Sequence, residues 1–139
     1  MYVVYYSGTG NTERMAKAVA EGMKEAGAEV NVVEFDEVKP EVLAGEAAFA
    51  LGCPAMGDEV LEECIVDPFI EALVSFVHCN KMVLFCSYDW GDGQWMRDWV
   101  EPMEKAGAAV VGGEGIIANN EPDEEALEAC KAAGKTLLA

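Results

Sequence analysis

Tyr2-Val3-Val4-Tyr5-Tyr6-Ser7-Gly8-Thr9-Gly10-Asn11-Thr12 is the stretch on which the reading of this chain turns. Tyr2–Tyr6 is a short, continuous, β-favouring apolar run, the pattern of a strand buried on both faces. It gives way at once to glycines, hydroxyls and one amide. The period then becomes helical: Met15, Val19, Gly22 or Met23, and Ala26 fall on one stripe, and Gly27 is the expected stop. Strand, glycine loop and helix in this order bring free backbone N–H groups and a positive dipole end to one point. That point suits an anion.

The loop narrows which anion. Ser7, Thr9 and Thr12 supply hydroxyls and Asn11 an amide, while no lysine or arginine lies within it. The nucleotide P-loop needs a lysine here, and the dinucleotide fingerprint needs a third glycine where Glu13 stands. An uncharged cradle for one phosphate monoester remains. The plain alternative is an ordinary glycine-rich turn ahead of a capped helix.

The same alternation runs to the end of the chain. Val30–Val33, Ala47–Leu51, Met82–Cys86 and Ala109–Val111 read as further strands, the last resumed at Ile116–Ala118 after Gly112-Gly113. Asp67-Pro68 opens a helix with Phe69, Leu73, Phe76 and Val77 facing inward. Met96, Trp99, Val100 and Met103 mark another, which Pro102 should kink or end. A final helix from about Asp123 carries Leu127, Cys130, Gly134 and Leu137. With 139 residues, no linker and no internal repeat, the expectation is a single domain over 1–139. Its class is α/β: an open parallel sheet with helices on both faces.

Ligands of such sheets sit beyond the carboxyl ends of the strands, which directs attention to four loops. Beside Ser7–Thr12 these are Cys53–Glu63, Ser87–Gly93 and Asn119–Glu121. In Ala55-Met56-Gly57-Asp58-Glu59, Met56 can pack on a planar ring, Gly57 permits unusual backbone, and the two acids can accept from ring N–H groups. Otherwise it is a solvated acidic turn. In Ser87-Tyr88-Asp89-Trp90-Gly91, Trp90 sits between acids and glycines, where a tryptophan of the core would be out of place. Trp95 and Trp99, at helical spacing, read as scaffold, and lone His78 carries no assigned role.

Composition excludes several classes. Twenty-six acidic residues against nine basic ones give a net charge of -17, which repels nucleic acid and anionic membranes and favours basic protein patches. No apolar run approaches the ~18 residues of a membrane span, and no leader pattern is evident, so a cytoplasmic location is expected. Five cysteines without a Cys-x-x-Cys pair predict reduced thiols rather than a disulfide framework or a zinc site.

Taken together, these loops resemble those of the short-chain flavodoxins of anaerobic bacteria, over essentially the whole chain. Ser7, Gly8, Thr9, Gly10, Asn11 and Thr12 look like the phosphate loop. Ala55, Met56, Gly57, Asp58 and Glu59, with Ser87, Tyr88, Asp89, Trp90 and Gly91, look like the two flavin-flanking loops. Asn119-Asn120-Glu121-Pro122-Asp123 is similar to the last turn at the site's edge. The resemblance implies a doubly wound five-stranded parallel sheet of order 2-1-3-4-5 and noncovalent FMN. It implies Met56 on the inner ring face, Trp90 on the outer, Glu59 on the ring N3–H, and the Gly57 carbonyl turning to accept the N5–H formed on one-electron reduction. The chain departs from the expected pattern where Cys86 and Asp89 stand in place of glycines.

The implied function is a low-potential one-electron carrier working between the semiquinone and hydroquinone of FMN, able to stand in for ferredoxin, with no substrate turnover of its own. Expected partners are basic patches of ferredoxin or flavodoxin reductases and other oxidoreductases, met by a monomer. The alternatives are an FMN-dependent reductase, for which no NADPH-binding segment is present, and a flavoprotein dedicated to activating one partner enzyme. A phospho-receiver module shares the sheet order. It needs acids after the first strand and at the end of the third, where Ser7 and Cys53 stand.

Overall fold

β-branched and aromatic residues that pair in register build a central sheet whose inner strands are buried on both sides. The computed structural model describes residues 2–6, 10–46, 48–53, 69, 71–73, 81–88, 94–110, 116–119 and 123–137. The strands are β1 (Tyr2–Tyr5), β2 (Asn31–Glu34), β3 (Ala48–Gly52), β4 (Lys81–Tyr88), β5 (Ala109–Val110) and β6 (Ile116–Asn119). The helices are α1 (Asn11–Glu25), α2 (Pro40–Ala44), α3 (Gln94–Lys105) and α4 (Glu124–Leu137). Phe69 and residues 71–73 are also helical.

The described pairings are parallel, in the order β2-β1-β3-β4-β5. β5 lies beside Lys81 and Met82, and β6 lies beside Phe85–Tyr88 on the same strand. The two therefore fill one strand position in two pieces, as the Gly112-Gly113 interruption predicts. The doubly wound order expected from the resemblance is the order observed.

Each strand feeds two cores by alternation. Val3, Ala50, Val83 and Phe85 face α1 and α4, while Val4, Leu51, Leu84 and Cys86 face the opposite side with Leu73, Trp99 and Met103. Full burial of a side chain such as Val3 or Leu51 stabilises the fold by roughly 1.5–3 kcal/mol. Phe69 and Leu73 are buried as expected, whereas Phe76 and Val77 lie outside the described residues.

α1 and α4 meet backbone to backbone. A Cβ built on Gly22 would fall on the Lys131 carbonyl, and one on Gly134 would fall on the Val19 carbonyl. Lys131 reaches Glu21 at 3.4 Å and Glu25 at 3.3 Å across this contact, and Lys135 reaches Glu25 at 3.3 Å. These exposed pairs contribute little beside the packing.

Two sequence expectations need correction. Ala26 is not on the buried stripe of α1: it is the exposed C-cap, its N–H bound to the Gly22 carbonyl. Gly27 does stop the helix, at φ 100, and the Ala28 N–H closes on the Met23 carbonyl at 3.1 Å. α3 does not end at Pro102. Proline removes one donor from the helix, Pro102 is exposed, and its own carbonyl accepts the Ala106 N–H at 3.0 Å. The stop comes at Gly107 (φ 108), with the Ala108 N–H on the Met103 carbonyl. The acidic run after β2, to which the sequence assigned no element, forms a 3-10 turn (Phe35–Glu37) and α2. The Glu34 N–H donates to Glu37 Oε1 at 2.9 Å. Phe35 and Leu43 drop into the core, and the burial of these two side chains holds this short segment.

Candidate functional site

The carboxyl ends of β1, β3, β4 and β6 come together at one edge of the sheet. The Tyr6 N–H continues the ladder to the Gly52 carbonyl at 2.9 Å, and the Cys53 N–H continues it to the Phe85 carbonyl at 3.2 Å. Beyond these bonds the chain leaves the sheet.

At the end of β1 stands the amino terminus of α1. Gly10 is its N-cap at φ 92, a left-handed backbone that glycine adopts without strain. A Cβ there would meet open space, so conformation rather than room calls for glycine. Gly10 has no side chain with which to cap this end. The first turn is closed from inside by the Arg14 N–H on the Gly10 carbonyl at 3.1 Å. Thr12 is fully buried, the one polar residue so placed among the described residues. A helix start with its positive dipole end and a glycine N-cap, beside a buried hydroxyl, fits a phosphate held by neutral donors.

The surroundings are acidic. Burial first, and then the charges of Glu13, Glu34 and Glu37, raise the Tyr5 phenol above its ordinary value. Glu13 lies in the first turn of α1 and pairs with Lys17 at 3.5 Å.

On the neighbouring strands, register places Tyr88 opposite Asn119 and Ser87 opposite Ala118. The structure thus gathers Gly10, Asn11, Thr12, Ser87, Tyr88 and Asn119 at one edge of the sheet. Ser7, Gly8, Thr9, Ala55, Met56, Gly57, Asp58, Glu59, Asp89, Trp90 and Gly91 lie outside the described residues, as do Asp67, Pro68 and His78. Gly52 was read only as the end of a strand. A Cβ there would fall on the Phe85 ring, so Gly52 makes room for a core side chain directly below the site. Among the described residues no group of three or more His, Cys, Asp or Glu could hold a metal ion. No described helix is long and apolar enough to cross a membrane.

Sheet order and helix start define a doubly wound α/β protein whose strand-end site suits a phosphorylated ligand. A family model described as flavodoxin matches residues 3–134. The flavodoxin of Clostridium beijerinckii is 47% identical over 137 residues, covering 99% of this chain and 98% of that protein. The flavodoxin of Megasphaera elsdenii is 43% identical over 96% of this chain and 97% of its own length. A solution structure of the two-electron reduced M. elsdenii flavodoxin superposes with a TM-score of 0.89 at 40% identity, covering 99% of this chain and 97% of that one. The chain belongs to the flavodoxin family, and is of its short-chain clostridial type. It is an FMN-binding electron carrier serving redox enzymes, not an enzyme with a substrate of its own.

Proposed function

We propose that this flavodoxin is a low-potential carrier of single electrons that can replace ferredoxin, a cytoplasmic monomer of one domain docking on basic patches of its redox partners. The observation that carries the reading is the start of α1: a helix N-terminus introduced by left-handed Gly10, beside buried Thr12. When bound there, FMN supplies the one-electron chemistry. Ser7, Gly8, Thr9, Gly10, Asn11 and Thr12 hold its phosphate with N–H and hydroxyl donors, so binding adds no lysine or arginine charge beside the ring. Ala55, Met56, Gly57, Asp58 and Glu59 cover one side of the ring, and Ser87, Tyr88, Asp89, Trp90 and Gly91 the other. Asn119 closes the edge. Met56 and Trp90 exclude water, Glu59 accepts from N3–H, and the Gly57 carbonyl holds the proton at N5.

Low potential follows from the carboxylates. Asp58, Glu59, Asp89 and Asp92 oppose any added negative charge, and the net charge of -17 opposes it further. The test is a redox titration of the FMN-loaded protein, followed by its visible spectrum. Two separate one-electron steps, the second well below the potential of free flavin, are expected. One concerted two-electron step would refute the reading. Titrating flavin-free protein with FMN and with riboflavin checks the phosphate loop, since each buried donor left unpaired costs about 1–3 kcal/mol. Equal affinities would remove that assignment.

A further inference from the structure

β3 and β4 run parallel with Gly52 opposite Phe85, and the Cys53 N–H donates to the Phe85 carbonyl. The register therefore sets Cys53 beside Cys86. Alternation puts both on one face: Cys53 follows Phe49 and Leu51, Cys86 follows Met82 and Leu84, and all six share one core cluster. Both thiols are fully buried, and neither is disulfide-bonded. Adjacent strands lie about 4.8 Å apart, within the ~4.4–6.8 Å over which Cα atoms can be bridged.

We propose that Cys53 and Cys86 form a redox-sensitive dithiol, which a peroxide converts into a disulfide that weakens FMN retention. The flavin part rests on the site assignment under Proposed function. In the first step one sulfur attacks the peroxide O–O bond, which breaks to give a sulfenic acid and one water. The second sulfur then attacks the sulfenic sulfur. The S–O bond breaks, a second water leaves, and the S–S bond forms. Two thiol hydrogens and two electrons have passed to the peroxide.

Geometry makes the bond reversible. Side chains on adjacent parallel strands project side by side, with Cβ atoms spaced about as widely as the strands, whereas a disulfide favours ~3.8 Å. Closure must draw the two strand ends together, and a strained disulfide is readily reduced. Those ends are the roots of the two loops assigned to the flavin's two faces. Drawing them together deforms the slot between them. Since the buried thiols are reached only when this end of the sheet opens, a flavin bound across it suppresses oxidation. At equilibrium the coupling is reciprocal: the factor by which the disulfide weakens FMN binding is the factor by which FMN weakens the disulfide. A thiophilic metal ion fits less well, because the pair offers two ligands where a closed thiolate site takes four.

The test treats the full chain with hydrogen peroxide, without added FMN and with FMN in excess, and maps unreduced peptic peptides by mass spectrometry. The expected result is a Cys53–Cys86 linked peptide that dithiothreitol abolishes, formed more slowly in excess FMN because the bound flavin keeps this end of the sheet closed. FMN should bind the oxidised protein about tenfold more weakly than the reduced protein. Cys53→Ala and Cys86→Ala, either sufficing if it retains the wild-type circular dichroism, should lose the peptide and the peroxide effect on FMN binding. A link through Cys64, Cys79 or Cys130, oxidation of Cys53 and Cys86 without a link, or equal rates with and without FMN would overturn the proposal. If the reduced protein takes up no FMN, the site assignment and the coupling both fall, while the linked peptide still decides the dithiol.

Discussion

Gly134→Ala should destabilise the protein, against the usual benefit of replacing glycine within a helix. That benefit is about 1 kcal/mol from propensity. Against it stands the contact with α1. The added Cβ would fall on the Val19 carbonyl oxygen, and it would lie 3.1 Å from the Met23 nitrogen and 3.2 Å from the Val19 carbonyl carbon. All three are backbone atoms, so no rotamer change relieves the overlap. α4 must move off α1 by about an ångström, loosening Cys130 and Leu137 from Met15, Val19 and Met23. Overpacking of this kind costs about 1–3 kcal/mol. An immovable backbone partner puts the cost at or above the upper end, for a net loss of about 2 kcal/mol after propensity is subtracted. Gly22→Ala presses on the Lys131 carbonyl of the same interface, so the double variant should lose less than the sum. Gly45→Ala is the control. Its φ is -81 and its new Cβ would lie 3.6 Å from the Val42 carbonyl oxygen, so it should be neutral or stabilising by about 0.4–1 kcal/mol. Urea unfolding of flavin-free protein, followed by far-UV circular dichroism, measures all four. With m near ~2 kcal/mol/M, 2 kcal/mol moves the midpoint by about 1 M. If Gly134→Ala is as stable as the parent, the close approach of α4 to α1 is wrong.

Cys130, buried at the same interface, has its thiol pushed up from 9.0 to about 12. Its folded value is raised, so its contribution is fully present below pH 9 and is lost as pH rises from about 9 to 12. The loss is up to ~4 kcal/mol at 1.36 kcal/mol per unit, and Cys130→Ala should flatten that part of the stability curve. Electron transfer to a basic partner should slow steeply with ionic strength, because the Debye length is ~10 Å at 0.1 M salt; a salt-independent second-order rate would refute acidic docking. Asp89→Asn should raise the lower one-electron potential by tens of millivolts, since a unit charge ~10 Å away at an effective dielectric of ~20 contributes roughly 1–2 kcal/mol. No change in either Asp89→Asn or Asp89→Gly would place that side chain in solvent.

Much of the fold could be read because its signals are local. Val3 and Val4 sit in an unbroken apolar run, Gly27 ends a helical stripe, and Asp123 caps α4 by accepting the Ala126 N–H at 2.8 Å. Each acts within a few residues of itself. The split last strand was legible for the same reason, through Gly112-Gly113. What escaped was tertiary. Pro102 reads as a breaker, yet α3 continues past it, because Trp99, Val100 and Met103 hold the helix on the sheet. Phe35 and Leu43 lie in a run to which the sequence assigned no element, and only their burial shows why it is ordered.

The site divides along the same line. Gly10 was legible because a left-handed residue before a helix has one economical choice of side chain, and that choice is visible in sequence. Gly22, Gly52 and Gly134 looked like a helix position, a strand end and another helix position. Their meaning depends on the Lys131 carbonyl, the Phe85 ring and the Val19 carbonyl, which come from elsewhere in the chain. Cys53 and Cys86 lie between these cases. Nothing local distinguishes either, but once β3 and β4 are parallel with Gly52 opposite Phe85, the next pair is forced to be two cysteines on one face. Register turns two unremarkable residues into one chemical group, at the strand ends from which the flavin loops depart.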